Sequence, residues 1–399
     1  MAYAEWSQVP IGIDAEKWVT RAGCRSVLAV VHTVTSGQRL LEAVELIESD
    51  ARLQIVFTQA PDVFSNGVED FLRSTGGLVL PWEQVVRERF DLALAASYGG
   101  LSQVHAPIVV MPHGAGFGKS FAVADEQVVY GLDAQRLTHN GKVIASALVL
   151  SHTDQLAVLR RQCPEAVDRA VVAGDQCYDR VVASLPHRPA YRAALGVEPE
   201  GKLLVVSSTW GRESLLGRST ELLPEILAEL APLGYSVAAL LHPAVWFAHG
   251  PRQIRAWLAD CRDAGLILVE PEVDWRAAIV AADQVIADHG SVGVYSAAIG
   301  RPVLLVETPL RALPTADSAQ DLLRERAPRL VEGVPLAAQF QAAASNAERL
   351  LVSISAALTS CPGRSSAELR RAIYRLLEVP QPGKHRAVMP VSAPSRRTW

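Results

Sequence analysis

Four short segments combine histidine, hydroxyl or cationic side chains with glycine or proline, each directly after an apolar run. They are MPHGAG at 111–116, SSTWGRES at 207–214, LHPA at 241–244 and DHGSVG at 288–293. A histidine in such a place suits proton transfer to or from a substrate hydroxyl. Glycine and hydroxyl residues ahead of a helix suit the binding of a phosphate. The four segments therefore predict acid–base chemistry beside an anionic ligand.

The last segment carries the clearest anion signal. Asp288, His289, Gly290 and Ser291 stand between a predicted strand and a predicted helix. Glycine lets a backbone come close to an anion, and a helix start offers N–H groups and a positive dipole end. A diphosphate suits that place. The alternative interpretation, which stays open, is that Ser291 only caps the helix and Gly290 only turns the chain.

The other segments add a loop and two histidines. Thr209, Trp210 and Arg212 bring a hydroxyl, an aromatic ring and a cation, although an aromatic side chain in a loop more often packs than stacks on a base. His242 precedes a proline that holds its backbone extended, and His113 lies between Pro and Gly. Either histidine alone is compatible with an ordinary hydrogen-bonded role at the edge of a sheet. Together they predict a general base and a phosphate contact.

Gly118, Lys119 and Ser120 resemble the end of a phosphate-binding P-loop. The full motif needs a glycine where this chain has His113, and the sequence after Ser120 reads as an irregular stretch and a strand instead of a helix. The P-loop interpretation is therefore disfavoured. A P-loop would predict nucleotide binding that depends on magnesium and is lost without Lys119. We expect instead that Lys119 plays a supporting role beside the phosphates of a ligand.

Short apolar runs alternate with longer segments of helical period along the whole chain, which favours an α/β fold with parallel sheets. We predict two Rossmann-like domains that face each other across a cleft, followed by a helical C-terminal segment. The predicted boundaries are 1–185 for the first, acceptor-side domain, 186–378 for the nucleotide-donor domain with its terminal helices, and 379–399 for a flexible, basic, proline-rich tail. Ligands of such sheets bind beyond the carboxyl ends of the strands, where the four segments fall.

Composition restricts the function further. The 399 residues contain 38 Lys and Arg against 42 Asp and Glu, a net charge of −4, so nothing favours a nucleic-acid partner. No apolar run is long enough to span a membrane and the N-terminus lacks the pattern of a signal peptide, which predicts a soluble cytoplasmic protein. Five scattered cysteines and no helical His pair predict that no metal is bound. Oligomeric state, monomer or homodimer, stays open.

In their order and spacing the four segments resemble the CDP-glycerol glycerophosphotransferase family of teichoic acid polymerases, a group of the GT-B type. PHGA is similar to the family's Trp-His-Gly-Thr motif, STWGR to a Thr-Trp-Arg loop, LHPA to a His-Pro, and ADHGSVG to Asp-Tyr-Ser-Ser ahead of a helix. The resemblance covers about 108–307 and is strongest from 203 onward. The segment 287–306 also resembles the nucleotide-binding half of UDP-N-acetylglucosamine 2-epimerases.

The resemblance implies a metal-independent transferase that uses a nucleotide diphosphate donor and a hydroxyl acceptor. It implies that His113 is the general base, that Gly114 leaves room for the acceptor and that His242 contacts the donor diphosphate. The residues it implies for donor and phosphate binding, with those argued above from the sequence itself, are Gly114, Lys119, Thr209, Trp210, Arg212, Asp288, His289, Gly290 and Ser291.

The sequence also departs from the family. Pro112 replaces the tryptophan before the first histidine, and Tyr295 stands where the family has an acid that grips ribose hydroxyls. No amphipathic segment suited to a membrane surface starts the chain, which favours a soluble relative that acts on a small acceptor. Two alternatives remain: a nucleotide-sugar epimerase or hydrolase on the same fold, and a binding protein that has lost catalysis.

Overall fold

The structure, a computed structural model, describes residues 6–12, 15–123, 126–309, 312–383 and 388–394. Within them the chain forms two compact units. The first unit draws on Met1–Phe117, Ala122–Cys177 and Ser360–Ala387. The second unit draws on Gly118–Phe121, Tyr178–Thr359 and Val388–Trp399.

The strands are short, and most of them are buried. In chain order they are β1 (Arg25–Val31), β2 (Leu53–Gln59), β3 (Val79–Leu80), β4 (Leu92–Ala95), β5 (Ile108–Val110), β6 (Lys119–Val123), β7 (Glu126–Val129), β8 (Thr138–His139), β9 (Lys142–Val143), β10 (Ala147–Leu150), β11 (Ala170–Val172), β12 (Lys202–Ser208), β13 (Tyr235–Leu241), β14 (Ile267–Val269), β15 (Gln284–Ala287), β16 (Val303–Leu305) and β17 (Leu313–Pro314).

Helices connect most of these strands. They are α1 (Val34–Val44), α2 (Val68–Thr75), α3 (Trp82–Val85), α4 (Ala134–Leu137), α5 (Gln155–Gln162), α6 (Gln176–Ser184), α7 (Arg188–Ala194), α8 (Leu215–Arg218), α9 (Leu222–Leu230), α10 (Pro243–His249), α11 (Pro251–Trp257), α12 (Ala259–Asp263), α13 (Trp275–Ala281), α14 (Ser291–Ala298), α15 (Ala319–Arg326), α16 (Leu336–Leu358) and α17 (Ser365–Leu377).

The first unit contains a seven-stranded sheet in the order β11-β10-β5-β4-β1-β2-β3. All of its pairings are parallel. The end of β1 from Val27 onward is almost completely buried because a parallel sheet is covered on both faces. The strand order reverses between β1 and β4, which places their carboxyl ends at the usual ligand position of a doubly wound sheet.

The second unit contains a parallel sheet in the order β14-β13-β12-β15-β16. Here the order reverses between β12 and β15, which pair from Leu204 with Gln284 to Ser207 with Ala287. The structure therefore confirms the predicted α/β class with two Rossmann-like sheets. The loops that follow β12 and β15 contain two of the four predicted segments.

The predicted helical segment near the C-terminus is also confirmed. Helix α16 begins directly after Pro335 and α17 begins soon after Pro362, as expected for residues that interrupt a helix. Apolar residues recur at helical spacing along α16, among them Phe340, Ala343 and Leu350, and these are buried in the second unit.

The chain passes between the units more often than the sequence suggests. Helix α17, which we had placed with the donor domain, belongs to the first unit, where Tyr374 donates a hydrogen bond to Asp50 over 2.9 Å and Arg370 donates to the Leu46 carbonyl over 3.1 Å. Residues 118–121 belong to the second unit. The functional division at residue 185 stays a prediction.

The predicted flexible tail is partly ordered. Val391 is buried in the second unit; its N–H donates to Ser184 Oγ over 3.0 Å, and its carbonyl accepts from the Tyr191 hydroxyl over 2.7 Å. A buried valine with both backbone groups bonded is packed, and residues 384–387 and 395–399 of the predicted tail lie outside the described residues, so flexibility of the tail stays a prediction. Within the described ranges, no helix has the length and apolar character to cross a bilayer.

Candidate functional site

Asp288 organises the carboxyl end of the second sheet. Its side chain is only 2% exposed, and a single oxygen, Oδ2, accepts hydrogen bonds from the Thr209 N–H (2.8 Å), the Thr209 hydroxyl (2.8 Å) and the Leu215 N–H (3.0 Å). The carboxylate thereby ties the loop after β12 and the start of α8 to the end of β15. Asp288 lies in the predicted place, but its Oδ2 is used to hold the loop.

The substitution Asp288→Ala should destabilise the fold by about 3 kcal/mol, because it removes charge-assisted hydrogen bonds and leaves backbone donors without their acceptor. The measurement is urea unfolding of the variant and of the parent chain. Glu325→Ala, at an exposed position of α15, is the matched control and should change stability by less than about 0.5 kcal/mol. Equal stabilities for the two variants would contradict the role given to Asp288.

His289 extends this network towards two threonine hydroxyls. Since the Thr209 hydroxyl donates to Asp288, it can only accept from His289 Nε2, at 3.4 Å; the Thr308 hydroxyl lies 3.0 Å from Nδ1 and donates to it. This arrangement fits a neutral ring. Partial burial and the charge of Lys119 lower the pKa of His289, while Asp288 acts in the opposite direction.

Lys119 reaches this network from a strand. It begins β6 and pairs in antiparallel register with Pro314, so its charge lies close enough to lower the pKa of His289. A Cβ at Gly118 would come within 2.1 Å of the Gln320 side chain, which shows how closely this segment packs on α15. Crowding by protein atoms lowers the pKa of the Lys119 ammonium itself, although the side chain is exposed.

The P-loop interpretation is wrong. A P-loop lysine stands where a glycine-rich loop enters a helix, and the loop's N–H groups surround the phosphate. Lys119 instead enters a strand, and the carbonyl of Gly118 accepts from the Thr315 N–H over 3.1 Å. The charge of Lys119 nevertheless acts on His289, a residue of the predicted phosphate site.

Helix α14 begins after a glycine. Gly290 is the N-cap and has no side chain to cap the helix; Ser291 is the first helical residue, so the interpretation of Ser291 as the cap is wrong. A Cβ at Gly290 would lie 2.7 Å from Thr209 Cγ2, so only glycine fits against the Thr209 loop. The first N–H groups of a helix and its dipole attract anions.

His242 lies at the end of β13, beside this loop. Its N–H donates to the Ser208 carbonyl over 3.0 Å, and its Nδ1 accepts from the Ala244 N–H over 3.1 Å as the N-cap of α10. A neutral ring that accepts at Nδ1 carries its proton on Nε2. His242 is therefore oriented as a hydrogen-bond donor, which suits contact with a phosphate oxygen better than the work of a base.

Two predicted residues of the Thr209 loop, Arg212 and Trp210, are exposed. The Arg212 side chain is 84% exposed and lies 3.7 Å from Glu213. Trp210 is 45% exposed. Tyr295, at the position of the family's acid, is 1% exposed and its ring centre lies 5.6 Å from that of Trp275, so it is a packing residue of α14.

A cleft of about 370 Å³ adjoins the network at Thr308, and the sequence analysis missed the residues around it. It is lined by Arg218, Glu307, Thr308, Pro309, Leu313 and Arg324. The signal that could have found Glu307 and Thr308 is the position of the tripeptide 307–309 shortly after the apolar run of β16, a strand end that is not among the four predicted segments. No three His, Cys, Asp or Glu side chains of the described residues converge as ligands of a metal would.

In the first unit, His113 is exposed and follows β5. Its Nδ1 lies 2.9 Å from the Ala96 carbonyl, which can only accept, so Nδ1 carries the proton and the neutral ring has its lone pair on Nε2. The Gly114 carbonyl accepts from Arg39 over 3.3 Å, and Arg39 is itself buried and paired with Glu42 at 2.9 Å. The loop with the predicted base is thus held in place by α1.

The sequence analysis also gave no role to His32, at the end of β1. The ring is fully buried, Nε2 lies 2.7 Å from the Gly99 carbonyl, and Nδ1 has no hydrogen-bond partner among the described residues. Since the carbonyl accepts, Nε2 carries the proton and the ring is neutral. Burial lowers the pKa of His32 below its ordinary value of 6.5.

His32 should make the fold sensitive to acid. Because its pKa is near 6.5 in the unfolded chain and lower in the folded chain, the unfolded chain binds the extra proton more readily, and stability falls as the pH drops below about 6.5. Between pH 7.5 and 5.5 the parent chain should lose more thermal stability than His32→Gln. The control His105→Gln, at an exposed position, should behave as the parent does. If the thermal stability of the parent chain and of both variants depended equally on pH, the role given to His32 would be contradicted.

No protein-family model and no curated protein matches the sequence. Solved structures do match. The wall teichoic acid polymerase TagF is similar over 89% of this chain and 88% of its own, at 12% identity and a TM-score of 0.57. MnaA of S. aureus, determined with UDP, is similar over 90% and 99%, at 13% identity and a TM-score of 0.53.

The UDP-GlcNAc 2-epimerase from Neisseria meningitidis, determined with UDP-GlcNAc, is similar over 88% of this chain and 99% of its own, at 12% identity and a TM-score of 0.53. The chain shares the fold of these proteins. This confirms the fold that the sequence resemblance implied. At such identities the likeness concerns the fold, and function has to be argued from the site.

Proposed function

We propose that the chain is a GT-B-type transferase that binds a nucleotide diphosphate donor in its second unit. It moves a glycosyl or glycerophosphoryl-like group to a hydroxyl of a small molecule. The observation that carries the proposal is the place of His289: it is bonded to Thr308, feels the charge of Lys119 and directly precedes the glycine N-cap of α14, at the point where the strand order of the second sheet reverses.

The electrostatics of this place suit a diphosphate. Lys119 supplies a full positive charge, and the start of α14 supplies N–H donors and a partial positive charge. A bound diphosphate would raise the pKa of His289, whose ring would then take up a proton and donate from both nitrogens. His242 donates from Nε2 close by. Such preorganised donors stabilise the charge of the departing nucleotide without a metal ion, a nucleoside diphosphate after glycosyl transfer and a nucleoside monophosphate after transfer of a glycerophosphoryl-like group. We propose a metal-independent reaction.

His113 is the proposed general base. Its Nε2 takes the proton of the acceptor hydroxyl while the acceptor oxygen forms a bond to the transferred carbon or phosphorus. The bond from that atom to the leaving nucleotide oxygen breaks, and the nucleotide leaves with the bonding electron pair. The tautomer fixed by the Ala96 carbonyl is the one that this step requires.

The proteins of the same fold support nucleotide chemistry. One is a polymerase, one was determined with UDP and one with UDP-GlcNAc. The second candidate function is an epimerase or hydrolase of a nucleotide sugar, which the likeness to the Neisseria enzyme favours over other reaction classes. The buried Tyr295 favours the third, a binding protein without catalysis, because it leaves the predicted ribose contact without an acid.

Incubation of the chain with nucleotide-linked donors, with and without a mixture of polyol and sugar acceptors, separates the three functions. A transferase should consume the donor only when an acceptor is present, and should do so unchanged in EDTA. Consumption without an acceptor would overturn the proposal in favour of the epimerase or hydrolase. Nucleotide binding with no consumption in either condition would favour the binding protein.

A further inference from the structure

The cleft beside Thr308 lies next to the proposed diphosphate site, and the proposed function gives it no ligand. Thr308 connects the two, because its hydroxyl lies 3.0 Å from His289 Nδ1 and the residue also lines the cleft. Leu313, which also lines the cleft, immediately precedes Pro314, the residue that pairs with Lys119. A group attached to a diphosphate at the start of α14 would therefore extend into this cleft.

The size of the cleft restricts its ligand. Its volume of about 370 Å³ is near the lower limit of small-molecule sites, which run from about 300 to 1,000 Å³. A group of the size of one sugar fits such a volume, whereas a complete nucleotide sugar needs more. Pro309 and Leu313 offer apolar surface against which the C–H face of a ring can pack.

The charges of the cleft indicate the chemistry of that group. Glu307 would repel a phosphate in direct contact, but a carboxylate accepts hydrogen bonds from neighbouring hydroxyls. Arg218 and Arg324 add two cations to the lining of the cleft, of which Arg218 also lies 3.3 Å from Glu213. A guanidinium binds carboxylate or phosphate oxygens through two parallel hydrogen bonds. The lining thus suits a ligand with both hydroxyls and an anionic substituent.

We propose that this cleft binds the group that the donor carries beyond its diphosphate, and that this group is polyhydroxylated and bears a carboxylate or a phosphate. Glu307 accepts from its hydroxyls, and Arg324, with Arg218, binds its anionic substituent. The inference rests on the proposed function, since it needs a nucleotide diphosphate donor in the second unit.

Calorimetric titration with UDP, UDP-glucose and UDP-glucuronate tests the proposal. The parent chain should bind UDP-glucuronate about tenfold more tightly than UDP-glucose, as expected for one charge-assisted pair. Arg324→Gln should bring this ratio close to one without changing the affinity for UDP. Glu307→Gln should weaken both sugar nucleotides about tenfold, again with UDP unchanged. Arg326→Gln, exposed on the same helix, is the control and should keep the parent ratios.

The outcomes separate this inference from the proposed function. Binding of UDP with equal affinities for the two sugar nucleotides would overturn the inference and leave donor binding intact. An equal loss of affinity for UDP and for the sugar nucleotides in Glu307→Gln would also overturn it, because Glu307 would then act on the nucleotide. A chain that binds no nucleotide diphosphate at all would overturn both.

Discussion

His113→Ala should lower turnover by about 10²- to 10⁴-fold, the range that a general base contributes. The affinity for the nucleotide diphosphate should stay within a few-fold, because His113 belongs to the first unit and the proposed phosphate contacts belong to the second. The measurements are the rate of donor consumption with acceptor present and a titration with the nucleotide. This split between rate and binding is what distinguishes a base from a residue that only supports the fold.

The chain offers a matched control for this substitution. His105 precedes β5 and His113 follows it, and both side chains are exposed. His105→Ala should therefore leave turnover unchanged. Undiminished turnover in His113→Ala would remove the base from the mechanism, and a loss in both variants would show that β5 tolerates neither change.

Lys119→Ala should weaken the binding of a nucleotide diphosphate by about 10- to 100-fold, the cost of one charge-assisted contact to a phosphate. The affinity for the monophosphate of the same nucleoside should fall by a smaller factor, since the monophosphate places fewer anionic oxygens at the start of α14. Titration calorimetry at constant ionic strength is the appropriate measurement, because exposed charges are screened by salt.

Lys142→Ala is the control for charge, as Lys142 is exposed on β9 in the first unit. It removes one positive charge without touching the second sheet. Similar affinities in both lysine variants would show that Lys119 contributes only to the net charge, and the proposed phosphate site would lose its lysine.

The sequence predicts the architecture well because its signals are local. Apolar runs followed by glycine or histidine identify β5, β12, β13 and β15, and prolines precede the starts of α16 and α17. The same local signals locate the loops at which ligands of parallel sheets bind. Because these signals are local, the structure places three of the predicted residues at strand ends, namely His113, Thr209 and Asp288.

The partners of these residues were harder to predict, because they depend on contacts between distant parts of the chain. Nothing near Asp288 in the sequence shows that its oxygen holds the N–H of Leu215, and nothing near Lys119 shows that its strand pairs with residues 313–314. Arg324 has the pattern of a solvent-exposed helix residue, and only the fold brings it to the same cleft as Glu307.

The most direct test of the central claim is a thermal-shift panel with CDP, UDP, GDP, dTDP and ATP at saturating concentration. We predict that at least one nucleoside diphosphate raises the unfolding temperature by on the order of 2–5 °C, because a ligand that binds only the folded chain stabilises it. The shift should be clearly smaller in Lys119→Ala and persist unchanged in Lys142→Ala. Absence of any shift, confirmed by the absence of heat in calorimetry, would contradict donor binding in the second unit.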